Sequence, residues 1–577
     1  MKNSIIILCI LGCITASCNI LDVTPQDALT VPTYFKTETD LELYSNQFYA
    51  ALFEGGDEIT KERGDYMIWT PLASEISGTR IVPQSGGNWS FVALRKINFL
   101  LENIGNCEDK TAVSKYTAEA RFFRALYYSK MMRLYGEVPW FDHVLASNDP
   151  ELYRPRDSRD FLMDEILEDL DYAIDVFKKV NIQKSAYRVT WYSALAYKSR
   201  ICLFEGTFRK YHGLPDAEKY LQECVEASET LMNKSNTYSL YTTGNQAYRD
   251  LFISDDAKTQ EIILARDYDK SATLSNNVLI MLNTPGQGRP GFTRKFVNLY
   301  LCADGTRFTD KAGWETMEFK DEVKSRDPRL SQTIRTNGGL NFNNCISGYQ
   351  PLKYVKDSDF NSSVQTYNDL PLMRMAEVYL NLAEAKAELE TLTQTDLDNT
   401  INKIRARVKM TPLNMASANA NPDPYLDNAE TGYLNVQGAN KGVILEIRRE
   451  RSIELVMENQ TRYWDLIRWK EGHCVNSEFE GVYFPASEIG KPYDVDGDGT
   501  ADICAYIGNP PSVEGNVVLY DVKNDYLLTN KDSGRLMIFH GESYRKKWNE
   551  DRDYFYPIPK DEIILTNGAI TQNPGWD

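Results

Sequence analysis

Residues 494–502, DVDGDGTAD, carry the sharpest chemical signal in the 577-residue chain. Asp494, Asp496, Asp498 and Asp502 fall at positions 1, 3, 5 and 9 of a calcium-loop pattern, with Gly499 at 6 and the Thr500 carbonyl at 7. Hard oxygen donors at that spacing suit Ca2+. Position 12 is Ala505 where such loops carry a bidentate Glu, so a further carboxylate would have to come from elsewhere. A solvated acidic turn is the plainer reading of the same residues. An ion here would shape the chain around it, not catalyse.

A second constellation lies between Tyr66 and Trp89. Trp69, Arg80, Asn88 and Trp89 share a segment punctuated by Gly78, Gly86 and Gly87. Flat rings stack on the apolar faces of sugars, and an amide and a guanidinium hydrogen-bond hydroxyls. The structural alternative puts Trp89 at the start of the next helix's core.

Catalytic signatures are missing. The chain has no G-x-S-x-G, H-E-x-x-H or G-x-x-x-x-G-K. Arg448, Arg449, Glu450, Arg451 and Glu454 lie within two helical turns, followed by Arg462, Asp465 and Arg468, a pattern that reads as a paired network between helices. Arginines keep neighbouring carboxylates ionised, which removes a general acid. The expectation is therefore a protein that is not an enzyme and needs no catalytic cofactor. His143, His212, His473 and His540 are far apart, and no C-x-x-C occurs, so zinc is not expected.

The net charge of −18 repels nucleic acid and anionic lipid, so no nucleic-acid partner is expected. Lys2, the apolar run Ile5 to Ile14 and the junction Ala16, Ser17, Cys18 read as a lipoprotein signal peptide over 1–17, with Cys18 as the lipidated residue. That run is well under the roughly 20 residues a spanning helix needs. Cys13 after Gly12 offers a second junction, but polar chain follows Cys18 directly. Of the ten cysteines, the seven that follow Cys18 read mostly as buried free thiols.

The elements that must position these groups are mostly helical. Apolar residues at helical spacing mark 114–135, 160–179, 190–205 and 216–233, arranged as pairs at a spacing of roughly 30 to 40 residues like tetratricopeptide repeats. Helix is expected again from Pro371, over 396–408, and from Lys441 to about Asn459. Short strands are expected at 261–266 and 330–335. The reading is one domain over 18–577. A helical scaffold occupies about 40–235 and 371–470, and loop-rich regions occupy about 238–368 and 478–547.

Four segments taken together resemble the SusD/RagB family of outer-membrane lipoproteins: EARFFRALYYSKMMRLYGEVPWF (119–141), RMAEVYLNLAEAKAEL (374–389), ILEIRRERSIELVMENQTRYWDLIRW (444–469) and YFYPIPKDEIILTNGAITQNPGWD (554–577). The post-cysteine CNILDVTPQ is similar to the family's start. The resemblance implies a scaffold of tetratricopeptide-like pairs, lipid-anchored at the cell surface, that captures an oligosaccharide or polysaccharide for a TonB-dependent SusC-like barrel. It also implies that the N-terminal loop is joined at the binding face by middle-third residues, for which Arg289, Phe292, Phe308 and Trp314 are the candidates. Peptide in place of sugar, or a helical interaction scaffold without a small ligand, are the alternatives.

Overall fold

The computed structural model describes residues 34–181, 183–233, 237–515, 517–522 and 527–576, so the expected leader and Cys18 lie outside the described residues. The longer helices are α1 (Glu38–Leu52), α2 (Val92–Asn103), α3 (Lys110–Tyr135), α4 (Arg159–Lys179), α5 (Trp191–His212), α6 (Ala217–Met232), α7 (Met375–Glu388), α8 (Lys441–Leu455) and α9 (Thr461–Arg468). The fold is mostly α, as the periodicity implies.

Local chemistry explains the limits of these helices. At the start of α3 the Asp109 carboxylate accepts the N–H groups of Thr111 and Ala112, two donors that the first turn leaves unpaired. The helix ends at Gly136, whose φ of +79° suits glycine and whose missing Cβ leaves room for the Phe555 ring. Helices α1 and α2 pack on α3, α3 on α4, α4 on α5 and α5 on α6, while α7 lies against α5, α6 and α8. One hydrophobic core runs through them from Phe35 to Ile570.

Among the described residues nine short strands lie between the helices. β1 (Met67–Ile68) pairs with β3 (Gly291–Phe292), β2 (Ile262–Arg266) with β4 (Leu370–Arg374), and β6 (Ile503–Tyr506) runs parallel to β7 (Val518–Asp521). β5 (Phe479–Phe484), β9 (Gly534–Ile538) and β8 (Leu527–Leu528) form the one three-stranded sheet among the described residues.

Three expectations are corrected. Pro371 opens no helix: residues 370–374 are β4, buried throughout and paired to β2, and Pro371 sits at a register shift where its missing N–H is tolerated. Residues 330–333 form a helical turn, not a strand, because Asp327 accepts the N–H groups of Arg329 and Leu330 and so nucleates a turn. The helix expected over 396–408 breaks at Thr400, whose hydroxyl donates to the Asp396 carbonyl at 2.6 Å.

The charged face of α8 points inward. Glu454 pairs with Arg374 (2.6 Å) and Arg329 (3.1 Å), and also with Arg407. Glu450 meets Arg405 at 2.8 Å, and Asp465 on α9 joins Arg451 to Arg468. Burial acts to raise the Glu454 carboxyl, but Arg407, Arg374 and Arg329 outweigh it and hold the group well below the usual carboxylate range. All seven cysteines of the described chain are buried and unbonded.

Candidate functional site

The structure sorts the eight expected ligand residues by burial. Phe292 and Phe308 are fully enclosed, Phe292 stacked on Phe296 at 4.7 Å and Phe308 under the Arg326 guanidinium at 3.6 Å. Trp89 is core, edge-on to Tyr135 at 4.8 Å. Arg80 is buried as well: it donates to the Asp553 carbonyl at 2.6 Å and lies over the rings of Tyr556, Trp576 and Trp548. Its work is to fasten the C-terminal tail, whose Tyr556 N–H also donates to the Leu134 carbonyl. For these four the expectation of a sugar contact is corrected, since no face of the side chain is free to meet a ligand.

Four others remain at the surface. Trp69 directly follows β1 and is half-buried, and its indole N–H has no partner among the described residues. The turn after Thr284 lies against it. Gly288, with φ +96°, brings its backbone to the indole, and its carbonyl accepts the Thr70 N–H at 2.7 Å. Only glycine takes that conformation without strain. Arg289 is held beside this turn by the Phe342 carbonyl at 2.7 Å and by the Tyr520 hydroxyl. Asn88 is exposed.

Trp314 is the other surface ring. Half-buried, it is covered on one side by the Arg294 guanidinium at 4.4 Å and meets Tyr425 edge-on at 6.0 Å. Arg294 lies two residues beyond β3, and Trp69 one residue beyond β1, so the same two-strand pair orders both aromatic positions. Arg294, Tyr425 and Tyr520 were not singled out in the sequence. Tyr425, an aromatic residue in the Asn- and Asp-rich stretch 414–440, was the available signal.

In the acidic loop the structure brings together Asp494, Asp496 and Asp502, with one carboxylate oxygen of each within 4.8 Å of the others. Asp498 turns away and accepts the N–H groups of Gly339 (3.0 Å) and Thr500 (2.8 Å), while Thr500 itself is exposed. Asp494 accepts N–H groups from Gly497 and Gly499, so the chain wraps around its carboxylate. Among the described residues no Lys or Arg forms an ion pair with any of these acids. Burial, followed by the nearby Asp496 carboxylate, pushes the Asp502 carboxyl up to about 7. Asp496 in turn accepts the Leu340 N–H at 2.9 Å, which ties the loop to the segment whose Phe342 carbonyl holds Arg289.

The comparisons agree with this architecture. A family model described as "SusD family" matches residues 340–576, and one described as "starch-binding associating with outer membrane" matches 86–203. SusD-like protein P38 of Formosa agariphila is 23% identical over 520 residues, covering 83% of this chain and 93% of the relative. A SusD-like protein of Bacteroides ovatus is 23% identical over 564 residues, covering 86% and 90%. Among solved structures, a SusD-like protein from Bacteroides fragilis superposes with a TM-score of 0.69 at 21% identity, over 96% of this chain and 100% of that one. A SusD-like carbohydrate-binding protein from the same species gives 0.66 at 20% identity, over 93% and 99%. With SusD family models matching 86–203 and 340–576 and SusD-like relatives over most of the length, the chain belongs to the SusD/RagB family.

Proposed function

We propose that this protein is an outer-membrane lipoprotein that captures glycan on its loop face and delivers it to a TonB-dependent SusC-like barrel. The observation that carries the reading is Trp69, a half-buried ring with an unsatisfied indole N–H beside the Arg289 turn, in a chain of this family. The indole N–H is itself buried, so what the ring offers a ligand is the surface part of its face for stacking, which suits a neutral sugar better than a charged ligand. The starch-binding, outer-membrane description of the matching family model, and the carbohydrate binding named for one similar structure, support it. Anchoring through Cys18 rests on the sequence junction alone.

The reading is binding without catalysis. Glu454 is held well below the usual carboxylate range by Arg407, Arg374 and Arg329, so it lacks the raised pKa a general acid needs. The 494–502 loop is proposed to hold Ca2+ through Asp494, Asp496 and Asp502, bracing the 339–342 segment and through it Arg289.

Affinity electrophoresis of the chain from Asn19 through a panel of polysaccharides tests the reading. Retardation by at least one glycan is expected. No retardation by any, with retention of peptides instead, would replace sugar by peptide on the same scaffold. Recovery of a barrel protein with the detergent-solubilised lipoprotein tests the delivery step.

A further inference from the structure

A cavity of about 340 Å3 opens on the side of the helix pairs where α3, α5 and α9 converge. Its apolar wall includes Leu126, Ile201 and Phe204, and Tyr556 of the tail also lines it. None of the expected sugar-face rings is part of it, and of the expected contact residues only Asn88 lines it.

Five of the six cations around this cavity are matched within the chain. Arg63 pairs with Glu58 at 2.7 Å, Lys130 with Glu54 at 2.8 Å and Arg200 with Glu377 at 2.6 Å. Arg451 and Arg468 share Asp465. The sixth, Arg133 on α3, makes no hydrogen bond or ion pair among the described residues, and its Nε is buried without a partner. Its guanidinium only faces rings, Trp464 at 4.7 Å and Phe204 at 5.9 Å.

Arg133 as a whole is half-buried and only its Nε is shut off from water, and a guanidinium so placed costs stability to the extent that lost water is replaced by no anion. Burial, with the Arg200 charge adding to it, lowers the Arg133 pKa to about 10. The protein as a whole is strongly acidic, so a stray unmatched cation is not a consequence of composition. The volume lies at the small end of ligand pockets.

We propose that this cavity is a second ligand site, separate from the sugar face, that takes a small monocarboxylate with an apolar body, the carboxylate bridging the Arg133 guanidinium. A planar guanidinium binds a carboxylate through two parallel N–H bonds, and Leu126, Ile201 and Phe204 would cover the apolar part. The Lys130–Glu54 pair, each partner more than a third exposed, stands at the mouth. Selectivity follows: a neutral isostere leaves the cation unmatched, and a dianion brings one charge too many.

The test is titration of the full mature chain with benzoate and phenylacetate, followed by tryptophan fluorescence and saturation-transfer NMR, with benzamide and phenylacetamide as neutral controls. At least one carboxylate should bind while its neutral counterpart does not, and Arg133→Gln should weaken that binding roughly tenfold or more. Arg133→Lys should retain part of it. Arg133→Gln should also melt at or above the wild-type temperature, since it removes an uncompensated charge, whereas a purely structural stacking role would lower it. Retardation by neutral glycan should be unchanged in the variant, which keeps this site distinct from the sugar face. Equal response to acid and amide, or carboxylate binding indifferent to Arg133→Gln, overturns the proposal.

Discussion

Two regions of this molecule gather carboxylates, and they solve the same electrostatic problem differently. Around α8, Glu450, Glu454 and Asp465 lie against six arginines, and each acid is neutralised from within the chain. In the 494–502 loop Asp494, Asp496 and Asp502 converge with no ion-paired cation among the described residues. Charge that is balanced internally is architecture; charge left unbalanced points to something outside the chain. Arg133 is the mirror image of the loop, a cation without its anion.

The sharpest way to break the contrast is Glu454→Ala. It leaves Arg329, Arg374 and Arg407 facing one another in a dry interior, and denaturant unfolding should show a loss of roughly 3–5 kcal/mol or a failure to fold. A loss below about 1 kcal/mol would mean the network is not dry.

Acid should act on the same region first. Burial acts to raise the Glu384 carboxyl, but Arg468 outweighs it and brings the pKa down from 4.5 to about 2. A carboxyl depressed on folding stabilises above its unfolded value, and that contribution is lost as pH falls through the folded one. The urea midpoint should therefore drop steeply between about pH 4.5 and pH 2, and Glu384→Gln should flatten that limb. An unaltered limb in the variant would contradict the assignment.

The acidic loop should respond instead to added cation. Ca2+ at about a hundred times its dissociation constant should raise stability by about 2.7 kcal/mol. Asp494→Ala should abolish the calorimetric heat of binding. Flat traces for the wild-type chain would return the loop to a solvated turn.

The smallest stability effects belong to the sugar face. Trp314→Ala removes a half-buried ring that meets Arg294, Tyr425 and Phe308 near the surface, so the melting temperature should move little. Phe292→Ala, inside the core, should cost roughly 3–5 kcal/mol. Comparable costs for the two would erase the distinction between platform and core.

The helical frame was legible because its pattern repeats over many residues. Arg159–Lys179 and Ala217–Met232 end within about a residue of where amphipathic periodicity placed them. β4 was not, because Leu370, Leu372 and Met373 are apolar in any conformation, and the choice of strand is made by β2, more than a hundred residues earlier in sequence. The arginine network was readable as a network, although its partners Arg329, Arg374 and Arg405 come from other segments. At the site, residue type alone could not separate Trp69 from Trp89. Both are tryptophans of the same glycine-punctuated segment, and which one faces out depends on Tyr135 and on the Gly288 turn. Arg80 misled for the same reason, since its cage of Trp548, Tyr556 and Trp576 is built by the far end of the chain.

The central claim is that glycan is held by the surface rings near β1 and β3. Isothermal titration of an oligosaccharide from the retained polysaccharide, into wild-type, Trp69→Ala and Trp314→Ala protein, addresses it most directly. The account predicts that at least one substitution weakens binding by roughly tenfold, about 1.4 kcal/mol, with the melting temperature preserved. Unchanged affinity in both variants would contradict it.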